Sequence, residues 1–122
     1  MKRLRLGVLA SGGGSNLQSI IDRSLDGSLN ADVVIVISNN STAGALERAR
    51  NHGIDALHIS AVTEGSDSAV DDRIVKEMKN HHVDLVILAG YMKKIGSQLL
   101  AEFPDRVLNI HPALLPKYGG KG

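Results

Sequence analysis

Cysteine and tryptophan are absent from this sequence of 122 residues, which contains only one phenylalanine and two tyrosines. Without cysteine the chain can form neither a disulfide nor a thiolate metal site, and a cytoplasmic location fits this composition. No apolar run is long enough to span a bilayer, and the first residues lead into a strand-like run and not into a signal peptide. The formal net charge of +1 gives no field suited to nucleic acid or to a membrane surface.

What the sequence does contain is a regular alternation of strand-like and helix-like segments. Hydrophobic residues make up 43% and charged residues 22%, as in an ordinary globular domain, so we expect one domain over residues 1–122. Residues 33–37 form a β-branched run that is typical of a strand buried on both faces. The predicted strands are 4–10, 32–38, 55–60, 83–89 and a last one that ends near residue 112. The predicted helices are one after residue 15, with Leu25 on its apolar face, then 43–51, 67–81 and 98–102, and a polar loop is expected at 63–66.

This alternation predicts an α/β fold built from right-handed β-α-β units. We expect a Rossmann-like parallel sheet of about five strands in the order 3-2-1-4-5, with helices on both faces. In that order the connections reverse direction between the first and fourth strands, and ligands bind beyond the carboxyl ends of the strands at such a point. Three features follow carboxyl ends and should therefore meet: residues 11–16, residues 90–92, and the pair Asn109 and His111.

Three successive glycines, Gly12 to Gly14, follow the first strand and precede Ser15 at a predicted helix start. Such a loop lets backbone N–H groups approach an anion closely, and the helix N-terminus adds unpaired donors and a favourable dipole. The loop lacks the lysine of a Walker loop, and Leu17 occupies the third glycine position of a dinucleotide fingerprint. We interpret it as a loop that binds a monophosphate. The alternative is a tight turn with Ser15 as the N-cap.

Asn109 and His111 are two residues apart in the last predicted strand, so their side chains should share a face. Pro112 cannot donate to a sheet ladder, and it should end the strand and leave His111 at its rim. The imidazole could serve as a general acid or base, and the amide could donate to an oxyanion. Equally, Asn109 could close a turn and His111 could be a structural hydrogen bonder. No accompanying set of residues has metal-ligand spacing, so no metal site is predicted.

Three motifs in this chain resemble the phosphoribosylglycinamide formyltransferase family, a folate-dependent family of purine biosynthesis. They are Ser-Gly-Gly-Gly-Ser-Asn-Leu-Gln at 11–18, Leu-Ala-Gly-Tyr-Met at 88–92 and Asn-Ile-His-Pro-Ala-Leu-Leu-Pro-Lys-Tyr at 109–118. The motifs have the family's order and spacing, and the likeness runs over the whole chain. The third is shared by a wider set of formyltetrahydrofolate enzymes, whereas the Gly-Ser-Asn-Leu-Gln loop narrows the match to this family.

The resemblance implies transfer of a formyl group from 10-formyltetrahydrofolate, as co-substrate, to the amine of glycinamide ribonucleotide in de novo purine (IMP) biosynthesis. It implies no bound cofactor and no metal, only small-molecule partners, no nucleic acid or membrane, a monomer or homodimer, and a cytoplasmic location. It makes Asn109 and a protonated His111 the catalytic pair that stabilises the oxyanion. The residues implied to bind the ribonucleotide are Gly14, Ser15, Asn16, Leu17 and Gln18. Those implied to bind the folate are Tyr91, Met92, Lys93, Lys94, Ile95 and Asn109.

The chain also departs from the family pattern. Asp67 stands where a basic residue is common, and Lys93 stands where arginine is usual, which keeps the charge but loses a planar donor fork. The family's catalytic aspartate, its later strands and its C-terminal helix would come after Gly122, so the chain resembles a C-terminally truncated enzyme. Without that aspartate His111 should be less easily protonated. We therefore expect the 122-residue chain alone to be a weak or inactive catalyst.

Two other functions remain open at the level of sequence. One is a phosphate- or nucleotide-binding fragment without catalysis, which would bind glycinamide ribonucleotide without turnover. The other is a related formyltetrahydrofolate enzyme, either a deformylase or a methionyl-tRNA formyltransferase. The deformylase usually carries an extra N-terminal regulatory domain. The tRNA enzyme lacks this Gly-Ser-Asn loop, and binding of tRNA would require a more basic surface.

Overall fold

The computed structural model of the protein describes residues 3–110. His111 and the residues of the third motif that follow it therefore lie outside the described residues. No helix within 3–110 combines the length and the apolar character needed to cross a membrane. The elements in chain order are β1 (Leu4–Leu9), α1 (Ser15–Leu25), β2 (Ala31–Ser38), α2 (Gly44–Asn51), β3 (Asp55–His58), α3 (Ala61–Glu64), α4 (Asp67–Asn80), β4 (Leu85–Ala89), α5 (Ser97–Glu102) and β5 (Val107–Ile110).

The five strands form one parallel sheet in the order β3-β2-β1-β4-β5, which confirms the predicted topology. The register places Leu9 of β1 opposite Leu88 of β4, and Leu88 opposite Asn109 of β5. The carboxyl ends of these three strands therefore lie side by side. From β1 the chain continues to β2 and β3 on one side of β1, and it then crosses to β4 on the other side. The connections therefore reverse direction between β1 and β4.

Two apolar layers cover the sheet, one on each face, because successive strand residues point to opposite sides. Val8 packs with α1 and α2 in the first layer, while Leu9 packs with α4 and α5 in the second. At Gly7 a Cβ atom would lie 2.3 Å from the sulfur of Met78, so the absence of a side chain lets α4 approach β1 closely. Helices α1 and α2, from the first half of the chain, thus cover one face of the sheet, and α4 and α5, from the second half, cover the other.

Two local predictions and one of the alternatives were wrong. Residues 61–64 form the short helix α3, which overlaps the polar loop expected at 63–66, because Ser60 and Thr63 cap its N-terminus reciprocally. Leu25, predicted to face the core, is 71% exposed at the last turn of α1. Ser15 is not an N-cap: Gly14 holds that position with a φ of 82°, and no side chain caps the helix.

Candidate active site

The glycine loop between β1 and α1 contains two kinds of glycine. Gly14 has a positive φ, and a Cβ atom there would lie 2.7 Å from the Cα of Ala45, so backbone and packing both require glycine. Gly12 and Gly13 have neither constraint, since a Cβ on either would meet nothing within 4 Å. Both are exposed. The packing of the described chain therefore does not require glycine at these two positions, and they leave the backbone open to a ligand.

The backbone N–H groups of residues 12–17 donate no hydrogen bond to an acceptor within residues 3–110. Helix α1 begins its hydrogen bonding only at Gln18, whose N–H donates to the carbonyl of Gly14 at 2.8 Å. A helix N-terminus leaves its first N–H groups unpaired and carries a partial positive charge. The loop and the first turn of α1 thus offer a continuous run of free donors, which is the chemistry that holds a phosphate.

The five residues predicted to bind the ribonucleotide lie together at this loop but offer different groups. Ser15 is exposed and Asn16 is half-buried, so both side chains can reach a ligand. The side chain of Leu17 is fully buried, which leaves only its N–H for binding. Gln18 already has partners, since its amide nitrogen donates to Asp22 at 2.9 Å and its amide oxygen accepts from Arg48 at 3.3 Å.

A cavity of about 320 Å³ opens on the α4 and α5 side of the sheet. Apolar residues of the second core layer, among them Ile59, Ile74 and Leu99, line it together with polar and charged residues from the loops. The lining also includes every residue of the segment predicted to bind folate, namely Tyr91, Met92, Lys93, Lys94 and Ile95.

Charges of both signs surround this cavity. Lys93 and Lys94 bring two cations, and Asp67 and Asp71 of α4 bring two carboxylates. Burial raises the pKa of the Tyr91 phenol, and the negative charges of the two aspartates raise it further. The phenol therefore stays protonated at neutral pH and can donate a hydrogen bond into the cavity. Asp67, which stands where the family commonly has a basic residue, is one of the lining residues.

Ser11 joins the glycine loop to the cavity. Its N–H donates to the carbonyl of Gly90 at 3.2 Å, and its hydroxyl accepts the N–H of Met92 at 2.7 Å. The hydroxyl itself donates to the side-chain oxygen of Asn39, at the end of β2, at 2.5 Å. Neither Ser11 nor Asn39 was singled out from the sequence as a functional residue, although each directly follows a predicted strand. The structure thus brings the first two motifs together.

Asn109 lies opposite Leu88 and is exposed. Val107, two residues earlier, packs against the second core layer, while Ile110 packs against the first, as the predicted alternation requires. By that alternation Asn109 faces the same side of the sheet as the cavity. It does not belong to the lining formed by the described residues. His111 falls outside them, so its predicted proximity to Asn109 stays a prediction.

Within residues 3–110 no cluster of three or more histidine or carboxylate side chains could hold a metal ion. The groups that converge at this edge of the sheet are backbone donors, an amide, hydroxyls, lysines and carboxylates. Such a set can bind and orient polar substrates and can stabilise developing charge through hydrogen bonds.

Known proteins resemble this chain in sequence and in fold. A protein-family model described as "Formyl transferase" matches residues 4–122. The chain is 46% identical to a chloroplastic phosphoribosylglycinamide formyltransferase of Arabidopsis thaliana, over 99% of the chain and 42% of the relative. It is 42% identical to the phosphoribosylglycinamide formyltransferase of Escherichia coli K12, over 93% of the chain and 53% of the relative.

A crystal structure of glycinamide ribonucleotide transformylase 1 from Symbiobacterium toebii superposes with a TM-score of 0.86 at 45% identity. This match covers 95% of the chain and 55% of that protein. The chain thus spans about half the length of the relatives it matches. The family model covers nearly all of its sequence, and the chain therefore belongs to the formyl transferase family.

Proposed function

We propose that this chain carries the substrate-binding part of an enzyme that transfers a formyl group from 10-formyltetrahydrofolate to the amine of glycinamide ribonucleotide, in purine biosynthesis. One observation carries the proposal: a run of free backbone donors at residues 12–17 lies beside a cavity lined by residues 91–95, and Ser11 joins the two. The relatives named above are phosphoribosylglycinamide formyltransferases, which supports this substrate pair.

Glycinamide ribonucleotide would place its phosphate on the glycine loop. Two negative charges on a phosphate match the partial positive charge at the start of α1, and the free N–H groups of residues 12–17 can donate to its oxygens. Ser15 and Asn16 can add side-chain hydrogen bonds, whereas Leu17 can contribute only its N–H. Gln18 would bind through its side chain only if it exchanged one of its present partners for the ligand.

The folate would occupy the cavity, with no other cofactor bound. A pterin ring is flat and amphipathic, and the cavity offers an apolar floor of Ile59, Ile74 and Leu99 with polar groups around it. The cations of Lys93 and Lys94 suit the carboxylates of the glutamate portion of a folate. Asp67 has the opposite effect, because its charge would repel those carboxylates.

In the proposed reaction the amine of glycinamide ribonucleotide attacks the formyl carbon, and a C–N bond forms. The carbonyl electrons move onto oxygen, and the side-chain amide of Asn109 donates a hydrogen bond to that oxyanion. Collapse of the intermediate breaks the bond to the folate N10, which receives a proton from protonated His111. The attacking nitrogen gives its extra proton to water, and His111 regains a proton from water. We propose further that residues 1–122 form a single nucleotide-binding domain in a cytoplasmic protein that is a monomer or homodimer and binds neither nucleic acid nor membrane.

A charge placed at the glycine loop tests this proposal. The variant Ser15→Asp should raise the free energy of unfolding by about 0.3–1 kcal/mol, since Ser15 is the first residue of α1 and an acidic side chain there suits the helix dipole. The same carboxylate should lower the affinity for glycinamide ribonucleotide by about tenfold or more through repulsion of the phosphate. Ser19→Asp, at an exposed position one turn later, is the matched control and should leave the affinity unchanged.

Calorimetric titration with glycinamide ribonucleotide and separately with tetrahydrofolate, in anaerobic buffer, measures both sites. Saturable binding of both ligands, with loss of the ribonucleotide alone in Ser15→Asp, supports the proposal. Equal affinity for the ribonucleotide in Ser15→Asp and the wild-type chain would refute the assignment of the loop. Binding of both ligands without formyl transfer by the 122-residue chain would fit its description as a fragment without catalysis.

A further inference from the structure

Arg48 of α2 lies directly behind the glycine loop. Its Nε donates to the carbonyl oxygen of Gly13 at 2.7 Å, which is short for a nitrogen donor and typical of a charged one. Its aliphatic stem packs against the same loop, because a Cβ atom on Gly14 would lie 3.1 Å from the Cδ of Arg48. A second contact comes from the start of the helix, where the N–H of Ala45 donates to the carbonyl of Gly12 at 3.0 Å.

These two contacts fix the direction of two peptide groups. In a trans peptide the carbonyl of one residue and the N–H of the next point in opposite directions, and the described chain contains no cis peptide bond. Since the carbonyl of Gly12 points toward α2, the N–H of Gly13 points away from it. Since Arg48 holds the carbonyl of Gly13 toward α2, the N–H of Gly14 points away as well. Both N–H groups are among those without an acceptor within residues 3–110.

The Gly13 peptide also packs closely against Gly44 of α2, where a Cβ atom would lie 2.9 Å from the Gly13 carbonyl oxygen. Within residues 3–110, however, the hydrogen bond that fixes the direction of this carbonyl comes from Arg48. Gly13 is exposed and has no side chain, and a Cβ atom there would touch nothing within 4 Å. Glycine also adopts more backbone conformations than any other residue. Rotation of this peptide would replace an N–H by a carbonyl oxygen on the side that faces an anion, and the oxygen would repel a phosphate.

We infer that Arg48 is a positioning residue that keeps the Gly13–Gly14 peptide turned so that its N–H faces the phosphate, with its carbonyl held against α2. This inference rests on the proposed function, because it assumes that a phosphate binds on this loop. Arg48 also donates through Nη1 to the amide oxygen of Gln18 at 3.3 Å, so the same guanidinium orients a second group of the predicted site. A planar donor with two nitrogens can hold both acceptors at once, and a lysine cannot do so in the same geometry.

The same helix provides a matched control. Arg50 lies two residues further along α2, is exposed, and makes no side-chain hydrogen bond or ion pair within residues 3–110. Arg48→Met and Arg50→Met each remove one positive charge from the same helix and keep a linear apolar stem. Only the first removes a donor to the loop. Arg48→Lys keeps the charge and tests whether the fork geometry matters.

Calorimetric titration of the 122-residue chain with ribose 5-phosphate, glycinamide ribonucleotide and tetrahydrofolate tests the inference. We expect Arg48→Met to weaken both phosphate ligands by about tenfold, Arg48→Lys to lie between it and the wild type, and Arg50→Met to stay within about twofold. Tetrahydrofolate should bind all of these variants within about twofold of the wild type, because its cavity is on the other face of the sheet. A general loss of stability would instead lower the affinity for the phosphate ligands and for tetrahydrofolate alike.

Three results would overturn the inference: unchanged phosphate affinity in Arg48→Met, an equal loss in Arg50→Met, or an equal loss for tetrahydrofolate. The first would show that the peptide does not need Arg48, the second that only the charge of α2 matters, and the third that the substitution loosens the whole domain. If the wild-type chain binds ribose 5-phosphate but not glycinamide ribonucleotide, the proposed function fails while the role of Arg48 is still decided with ribose 5-phosphate. If it binds neither phosphate ligand, both proposals fail.

Discussion

At the scale of single residues, Ser11 shows how a small buried side chain can fix a loop. The side chain of Met92 is 80% exposed, so packing contributes little to the position of that residue. Its N–H, in contrast, donates to the hydroxyl of Ser11, which is buried and donates in turn to Asn39. The hydroxyl thus satisfies two groups from two other strand ends, and its removal would leave both without their partner.

Substitution of Ser11 by alanine should therefore affect both the stability of the fold and the proposed folate site. We expect Ser11→Ala to lower the free energy of unfolding by about 1–3 kcal/mol, the usual cost of a buried polar group left unsatisfied. The affinity for tetrahydrofolate should fall by about fivefold to tenfold, because Met92 lines the cavity. Urea denaturation and calorimetry measure the two effects.

Ser24→Ala is the control for this substitution. The hydroxyl of Ser24 donates to the carbonyl of Ala31 at 2.6 Å, near the amino end of β2 and away from the cavity. This variant should lose stability without losing affinity for tetrahydrofolate. Equal losses of affinity in the two serine variants would show that Ser11 acts through global stability and not through Met92.

The sequence predicted some of the residues that line the cavity, but it did not predict the contacts that fix the loops around the candidate site. The family resemblance implied that residues 91–95 bind folate, and all five of them line the cavity. The roles of Ser11 and Arg48 depend on contacts with residues 81 and 35 positions away along the chain. Local patterns carry no information on such contacts, because a serine after a strand and an arginine on a helix surface are common in any α/β protein.

At the scale of elements, the short helix α5 depends on α4. The carboxylate of Asp71 accepts the N–H groups of Gln98 and Leu99 at 2.8 and 3.1 Å, which satisfies two of the free donors at the start of α5. At Gly96 a Cβ atom would lie 2.2 Å from the carboxyl carbon of Asp71, so this contact requires glycine there. A helix of six residues has little stability of its own, and this contact supplies the tertiary support.

We expect Asp71→Asn to lower the free energy of unfolding by about 1–2 kcal/mol, because an amide can accept one of these N–H groups but turns its own N–H₂ toward the other. Asp72→Asn is a matched control, since it removes an equal charge from the adjacent, exposed position. Within residues 3–110 the carboxylate of Asp72 accepts a hydrogen bond only from the side-chain amide of Gln98, and its substitution should cost about 0.5 kcal/mol or less. Urea denaturation of both variants is the measurement. Equal costs would mean that the charge of α4, and not the cap on α5, stabilises this region.

The sequence pattern predicted the larger elements well and the short ones poorly. Long apolar runs and helical periodicity identified β2 and α4, because many residues contribute to each pattern. Helix α3 was missed because four residues give no period, and its only signal is the Ser60 and Thr63 pair. Leu25 was misplaced because periodicity continues to the last turn of α1, whereas the sheet no longer covers that turn.

At the scale of the whole molecule, the alternation of elements was sufficient to predict the strand order and the edge where the motifs meet. Handedness and the reversal of connections leave few topologies for five parallel strands. The alternation did not predict which side chains attach helices from one half of the chain to strands from the other half. One such attachment joins α4 to β3 through His81, and we expect its strength to depend on pH.

Both ring nitrogens of His81 face acceptors. Nδ1 lies 2.8 Å from the carbonyl oxygen of Glu77, and Nε2 lies 2.9 Å from the carboxylate of Asp55 at the start of β3. A neutral imidazole has one N–H and can donate to only one of them, whereas the protonated ring donates to both. Partial burial lowers the pKa of His81, but these hydrogen bonds and the negative charges of Asp55 and Glu77 outweigh it, so its pKa lies above the ordinary value of 6.5.

Because the folded-state pKa is raised, protonated His81 stabilises the fold fully below pH 6.5, and this contribution is lost as the pH rises through the folded-state pKa. We expect His81→Gln to lower the melting temperature by about 1–4 °C at pH 5.5, and by less at pH 8.5. Asp55→Asn should give the same pH dependence, since it removes the carboxylate that favours the charged ring. His58→Gln, on β3, is the control and should keep the wild-type profile, because the side chain of His58 makes no hydrogen bond or ion pair within residues 3–110. A constant difference between His81→Gln and the wild type from pH 5.5 to 8.5 would mean that His81 contributes only packing to this attachment.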